Sequence, residues 1–206
     1  MAFIVGFVNL PVDTYANWKN AVAGNGYDAD GYYGDQCWDL AAEFWYNVGF
    51  PTSPLYPKTG PNGYASECWT VSRYDNISYN GTTYFDLVTN VEDIKQGDVV
   101  VFPGSPGHIG FADEDYSITK GGYIAILGQN QGSSGVPPAV SNPNGGTTAN
   151  VKDLWVGTPS NPSGFLGAFR YKEWESTPPT PTPTEKKHHF PWVLYERKLR
   201  ENRQFQ

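Results

Sequence analysis

The 206-residue sequence predicts an α+β body followed by a short appendage, and three observations carry that reading. Gly (23), Pro (17), Tyr (14) and Trp (7) are abundant while charged residues make up only 17%, which favours short strands and long loops over a helical bundle. Within the body, helical periodicity is confined to two early stretches, and the tail adds a basic helix-like stretch. Short β-rich segments separated by Gly and Pro fill most of the rest of the body. A chain of this length can bury a core without a disulfide or a metal, so its two cysteines need not form a framework.

"PVDTYANWKNAVAGNG" reads as a first helix, with Asp13 as N-cap, Tyr15, Trp18 and Val22 spaced for one face, and Gly24 as a stop. "CWDLAAEFWYNVGF" is a second, largely buried helix that begins at Cys37 and ends before Gly49 and Pro51. Residues 51–75 read as a long ordered loop that can wall a groove. In "ISYNGTTYFDLV", Asn80-Gly81 suits a type I′ turn between alternating β-formers, hence a hairpin. Its sequons "NIS" and "NGT" read as turn and strand chemistry. "DVVVF", "HIGFADED", "YIAILGQN" and "FLGAFRYK" are short strands joined by Gly and Pro turns, giving one sheet packed on the helices. The body is expected to span 1–174. "ESTPPTPTPTEKK" (175–187) is a Pro/Thr linker of extended polyproline type. The aromatic and basic tail 188–206 is too short for a core of its own and suits docking to a partner, or loose attraction to anionic polymers.

Charge narrows the partners. Residues 1–185 carry 8 Lys+Arg against 19 Asp+Glu, a balance of −11, so phosphate attraction to nucleic acid is not expected of the body. The opening "MAFIVGFVNLPVD" lacks a basic n-region and is too short in apolar residues to span a bilayer, so neither an export signal of its own nor membrane insertion is expected.

The loop before the second helix carries the chemistry. In "DADGYYGDQCWD", Asp28, Asp30, Tyr32 and Gly34 stand two apart and Asp39 sits at the twelfth position, a spacing similar to an EF-hand loop with Asp in place of the usual Glu. Asp28, Asp30 and Asp39 would offer carboxylates to Ca2+, Tyr32 and Gly34 their carbonyls. An Asp/Gly turn that simply caps the helix accounts for the same residues. Cys37 at a helix start meets the positive end of the helix dipole, which favours the thiolate, the attacking form. A small buried hydrophobe is the plain alternative for a lone cysteine. A nucleophile needs a base, and His108 is the one histidine in the body, His188 and His189 lying in the tail. Asn130, at the end of the following strand, is a candidate to hold the far ring nitrogen, or else a turn residue. A Cys37–Cys68 disulfide would block the nucleophile, and is not expected in a chain with so few cysteines and no export signal.

"DADGYYGDQCWDL", "GDVVVFPGSPGHIGF" and "ILGQNQ", in this order, resemble the CHAP family of cysteine, histidine-dependent amidohydrolases and peptidases, in particular those of phage lysins, over roughly residues 10–172. The resemblance implies a papain-like fold, with N-terminal helices on an antiparallel β-sheet. It also implies a peptidoglycan hydrolase in which Cys37 is nucleophile, His108 general base and acid, Asn130 the residue that orients the histidine, and Gln36, with the Cys37 N–H, the oxyanion hole. Asp28, Asp30, Tyr32, Gly34 and Asp39 fall on positions that bind calcium in some phage members. Such lysins commonly carry an acid two residues before the asparagine, where this chain has Gly128. Either Asn130 alone orients the histidine, or an acid such as Asp113 substitutes. The expected substrate is Gram-positive peptidoglycan, cut by an endopeptidase or an N-acetylmuramoyl-L-alanine amidase. The enzyme would be made in the host cytoplasm as an endolysin, or carried on the virion tail with the tail segment docked to a phage protein or lysin subunit. A catalytically decayed, calcium-stabilised binding or structural part is the alternative.

Overall fold

Tyr15, Trp18 and Val22 recur at helical spacing, and all three are buried along α1 (Tyr15–Val22). Its N-cap is Thr14 rather than the expected Asp13: the threonine hydroxyl accepts from the Asn17 N–H at 3.1 Å, while Asp13 holds the Asn17 side-chain amide at 2.9 Å. The computed structural model describes residues 2–32, 34–131 and 147–176. The expected tail 188–206, and the linker from residue 177 on, lie outside the described residues.

α2 (Cys37–Asn47) buries Leu40, Ala41, Phe44 and Trp45 completely. Its aromatic residues make the core. Phe44 meets Trp18 at 5.1 Å and Phe111 at 5.2 Å between ring centroids, and Trp45 stacks on Phe85 at 4.4 Å. Each such ring contributes about 1.5–3 kcal/mol by leaving water.

Phe85 and Phe111 come from a sheet of six strands: β5 (Phe85–Val88), β6 (Val99–Phe102), β7 (His108–Ala112), β8 (Tyr123–Gly128), β9 (Asn150–Trp155) and β10 (Gly167–Tyr171). Their spatial order is β5-β10-β6-β7-β8-β9, and every pairing is antiparallel. The run "VVVF" of β6 is apolar throughout because both faces of the sheet are covered: Val99 and Val101 face the helix-side core, Val100 and Phe102 a second core with Ile124, Ile126 and Leu154. The expected α+β class with N-terminal helices on an antiparallel sheet is what forms.

Smaller elements complete the body. β1 (Phe3–Val5) runs parallel to β2 (Gly26–Asp28). The loop after α2 contains α3 (Glu67–Thr70), and β3 (Ser78–Tyr79) pairs with β4 (Thr82–Thr83) across Asn80 and Gly81, at φ 49° and 81°, as an I′ turn requires. α4 (Lys172–Ser176) closes the described chain, with Trp174 donating to the Val12 carbonyl at 2.8 Å.

Candidate active site

Cys37 is the first residue of α2, and α2 packs across β7, whose first residue is His108. This packing brings the helix start and the strand start together. The backbone N–H groups of Ile109, the residue after His108, and of Trp38 and Cys37 itself in the first helical turn act on the Cys37 sulfur in the direction of the thiolate. Both cysteines are free thiols. Cys68 is a fully buried neighbour of Cys37, its Sγ facing the Pro57 carbonyl at 4.0 Å.

The electrostatics correct one expectation. Burial pushes the Cys37 thiol up to about 11, and the N–H groups of Ile109, Trp38 and Cys37 pull it down only in part. The dipole at the helix start is present, but desolvation outweighs it, so the resting form is the thiol. Burial likewise pushes His108 down to about 4, against a smaller upward pull from the Gln131 side chain. His108 is entirely buried, and neither ring nitrogen has a hydrogen-bond partner of normal geometry among the described residues.

Asn130 does not meet that ring. Its amide donates to Gln36 Oε1 at 2.6 Å. The reason is local: β8 ends at Gly128, and Asn130 adopts φ 49°, a left-handed turn that breaks the strand's two-residue alternation. The chain thus returns Gln131, not Asn130, beneath the histidine. A side-chain carbon added at Gly128 would lie 3.1 Å from Gln131 Cδ and 3.3 Å from His108 Nε2. The missing acid at position 128 is therefore space that the ring and the Gln131 amide occupy. Asp113 does not substitute, since it accepts from the Tyr15 hydroxyl at 2.9 Å and pairs with Lys19 at 2.7 Å, on α1.

Gln129 and Gln131 are two site residues that motif reasoning does not single out. Gln129 is fully buried and clamps β2 to the helix start, accepting from the Tyr27 N–H at 2.8 Å and donating to the carbonyls of Tyr27 at 2.8 Å and Gln36 at 2.9 Å. The one signal that could have found them is "GQNQ" itself, three amides in a row closing an apolar strand.

Asp28, Asp30 and Asp39 each present a carboxylate oxygen within 4.8 Å of the other two. Asp39 is buried, and its oxygens accept from the Ala29 N–H at 3.0 Å and the Gln36 N–H at 2.9 Å, so it ties the loop to the helix start as well. Burial, with Asp30 and Asp28 nearby, pushes it up to about 8 despite those two N–H groups. Asp28 Oδ1 is enclosed and has no hydrogen-bond partner among the described residues. An orphaned carboxylate oxygen beside two further carboxylates fits a hard divalent cation. Tyr32 is exposed and Gly34 has φ 69°, while Tyr33 lies outside the described residues. Asp35, also buried and raised first by burial and then by Asp28, adds a fourth acid to this loop.

A groove of about 370 Å³ runs past the helix start, lined on one side by Asp30, Gln36, Trp38 and Asp39 and on the other by residues of the segment 55–63. Trp38 spans it by donating to the Pro57 carbonyl at 2.8 Å. The wall expected from residues 51–75 is thus supplied by Leu55, Pro57, Lys58 and Thr59, with Asn62 and Gly63.

The family model described as CHAP domain matches residues 15–130. A D-alanyl-L-alanine endopeptidase of Streptococcus phage B30 is 37% identical over 126 residues, which are 59% of this chain and 25% of that protein. The chain thus spans about a quarter of the length of this curated relative. The crystal structure of the wild-type endolysin LysIME-EF1 superposes with a TM-score of 0.50 over 80% of this chain and 65% of that one. At 23% identity, the likeness to LysIME-EF1 speaks for the fold.

Proposed function

The chain belongs to the CHAP-domain family, and from that membership we propose that it hydrolyses amide bonds of phage-host peptidoglycan by acyl transfer through Cys37. The observation that carries this is the packing of α2 across β7, with Cys37 opening the helix, His108 opening the strand, and the flanking residues Gln36 and Trp38 lining a groove. His108 takes the thiol proton as the sulfur attacks the amide carbonyl, and the carbon–sulfur bond forms. The oxyanion is met by the Cys37 N–H and by the Gln36 amide, whose carbonyl end Asn130 holds. His108 then returns the proton to the leaving amine, the C–N bond breaks, and water hydrolyses the thioester.

The substrate is a wall peptide. The endopeptidase activity of the B30 relative supports an endopeptidase cut over the muramoyl–alanine amide. Asp28, Asp30 and Asp39, with the Tyr32 and Gly34 carbonyls, would hold Ca2+, which supplies charge neutralisation to the loop. An endolysin made in the host cytoplasm and acting on the wall agrees with the relatives. No helix among the described residues is long and apolar enough to cross a membrane.

The test is clearing of Gram-positive wall suspensions, with mass spectrometry of the released fragments. Wild type should clear and Cys37→Ala should not. Clearing by the alanine variant ends the nucleophile assignment, and fragments with new amino sugar–lactyl ends but intact peptides end the endopeptidase reading.

A further inference from the structure

We propose that Gln131 is the positioning residue of the His108 imidazole, its Oε1 accepting from Nε2–H and so holding the neutral ring in the tautomer that leaves Nδ1 as the basic nitrogen. The inference rests on the Cys37–His108 reading above.

The Gln131 amide can stand only one way round. Its Nε2 donates to the carbonyls of Ile126 at 3.0 Å, Gly128 at 3.1 Å and Asn150 at 2.6 Å, so turning the amide would set an oxygen against three oxygens. This fixes Oε1 on the opposite side, where it is enclosed and lacks a hydrogen-bond partner among the described residues. Buried acceptors of this kind are costly unless a donor reaches them. His108 offers that donor. Its Nε2 and the Gln131 Cδ flank the same point above Gly128, and both ring nitrogens are enclosed without a partner among the described residues.

A neutral imidazole carries one N–H and one lone pair, and an amide oxygen can only accept. Closing this gap therefore selects Nε2–H, and Nδ1 becomes the nitrogen that can take the thiol proton. When it does, the ring is an imidazolium and the same Oε1 holds the positive form. The pull of Gln131 toward the protonated ring agrees with that direction. Asn130 contributes nothing here, being engaged on Gln36.

The tautomer can be read directly from long-range proton–nitrogen NMR spectra of the imidazole in Cys37→Ala protein at neutral pH. The His108 signals are assigned by their loss in His108→Gln, which separates them from His188 and His189. The expected pattern is Nε2 protonated and Nδ1 bare; a protonated Nδ1 overturns the proposal with no further variant needed. In the active protein, Gln131→Met removes the acceptor and should lower kcat about tenfold or more with KM within about threefold. Gln131→Glu keeps an acceptor toward the ring but sets an oxygen among the three carbonyls. Both variants should therefore lose stability, while only the methionine variant loses the single tautomer and the kcat. Equal kcat losses in the two would assign Gln131 a purely structural role. Clearing by Cys37→Ala would end the acyl-transfer reading yet leave the tautomer result standing, so the two failures are distinguishable.

Discussion

Asp39→Asn separates the two duties of the acidic loop. Asp39 is the third residue of α2, and each of its oxygens accepts from one backbone N–H, at 3.0 Å from Ala29 and 2.9 Å from Gln36. Asparagine keeps one oxygen and turns an amide NH2 toward the other N–H, which orphans it at a cost of about 1–3 kcal/mol. Above about pH 8, where Asp39 is ionised in the cation-free fold, the same change also removes a buried negative charge from beside Asp28 and Asp30, which offsets part of that cost. Without cation the two proteins should then melt within a few degrees of each other. Calcium reverses the balance. At about one hundred times Kd an ion bound only to the folded state adds about 2.7 kcal/mol, or about 5–10 °C for a domain of this size. The wild type should show that rise, and the variant less than half of it. The sign with pH is set by Asp39 being raised to about 8: the folded state holds a proton that the unfolded chain has released. The Asp39 contribution to the stability of the cation-free protein therefore falls as pH climbs from about 4 toward 8, and the calcium-induced rise in Tm should be larger at pH 8 than at pH 5. Differential scanning fluorimetry in EDTA and in calcium reads all of these. A variant that responds to calcium as fully as wild type removes Asp39 from the ligand set, and a wild type indifferent to calcium at pH 8 removes the cation altogether.

Three further outcomes are expected. Gly128→Ala places a methyl 3.1 Å from Gln131 Cδ and 3.3 Å from His108 Nε2, so wall clearing should fall about tenfold or more for a stability loss of only about 1–3 kcal/mol; undiminished clearing would mean that the ring and the amide do not share that space. His108 is held neutral down to about 4, whereas in the unfolded chain it protonates near 6.5, so its contribution is complete above pH 6.5 and is lost as pH falls toward 4. Urea unfolding at pH 7 and pH 4.5 should show wild type losing on the order of 2–3 kcal/mol more than His108→Gln, and equal losses would contradict the burial argument. Cys68→Ala should cost about 1–2 kcal/mol and leave clearing intact, with one thiol fewer on denaturation; an inactive but folded variant would place Cys68 in the chemistry.

The elements legible in the sequence are those that declare themselves locally. The first two helices and strands β6 to β8 follow from apolar spacing bounded by Gly and Pro, and Asn80-Gly81 marks the hairpin. β9 escapes such a reading because Lys152 and Asp153 interrupt its alternation and only Leu154 of its six residues is buried. The parallel pair β1–β2 joins Phe3 to Gly26, a contact between segments more than twenty residues apart that no local pattern carries. At the site, Cys37 and His108 can be named from their residue types and family motif. Which amide reaches the ring depends on one left-handed residue, Asn130, and the resting charge of the thiol on burial supplied by other parts of the chain.

The turn after β8 links every part of the site, which gives the acidic loop a mechanical path to the chemistry. Gly128 makes room for the ring, Gln129 clamps β2 to the Gln36 carbonyl, Asn130 holds the Gln36 side chain, and Gln131 faces His108. From the other side, Asp39 accepts from the Gln36 N–H and the Ala29 N–H. Gln36 is thus gripped at its N–H by Asp39, at its carbonyl by Gln129 and at its side chain by Asn130. A cation drawing Asp28, Asp30 and Asp39 together would act on the residue next to the nucleophile through a single hydrogen bond. Cation loss should accordingly lower kcat through Gln36 before it unfolds the domain, because the core around Phe44, Trp45 and Phe111 is built from ring contacts in which neither Gln36 nor the three acids take part. Chelation at a temperature well below the Tm should therefore slow wall clearing while near-ultraviolet circular dichroism of those rings stays as it was, and a spectrum that collapses in step with the activity would contradict this path.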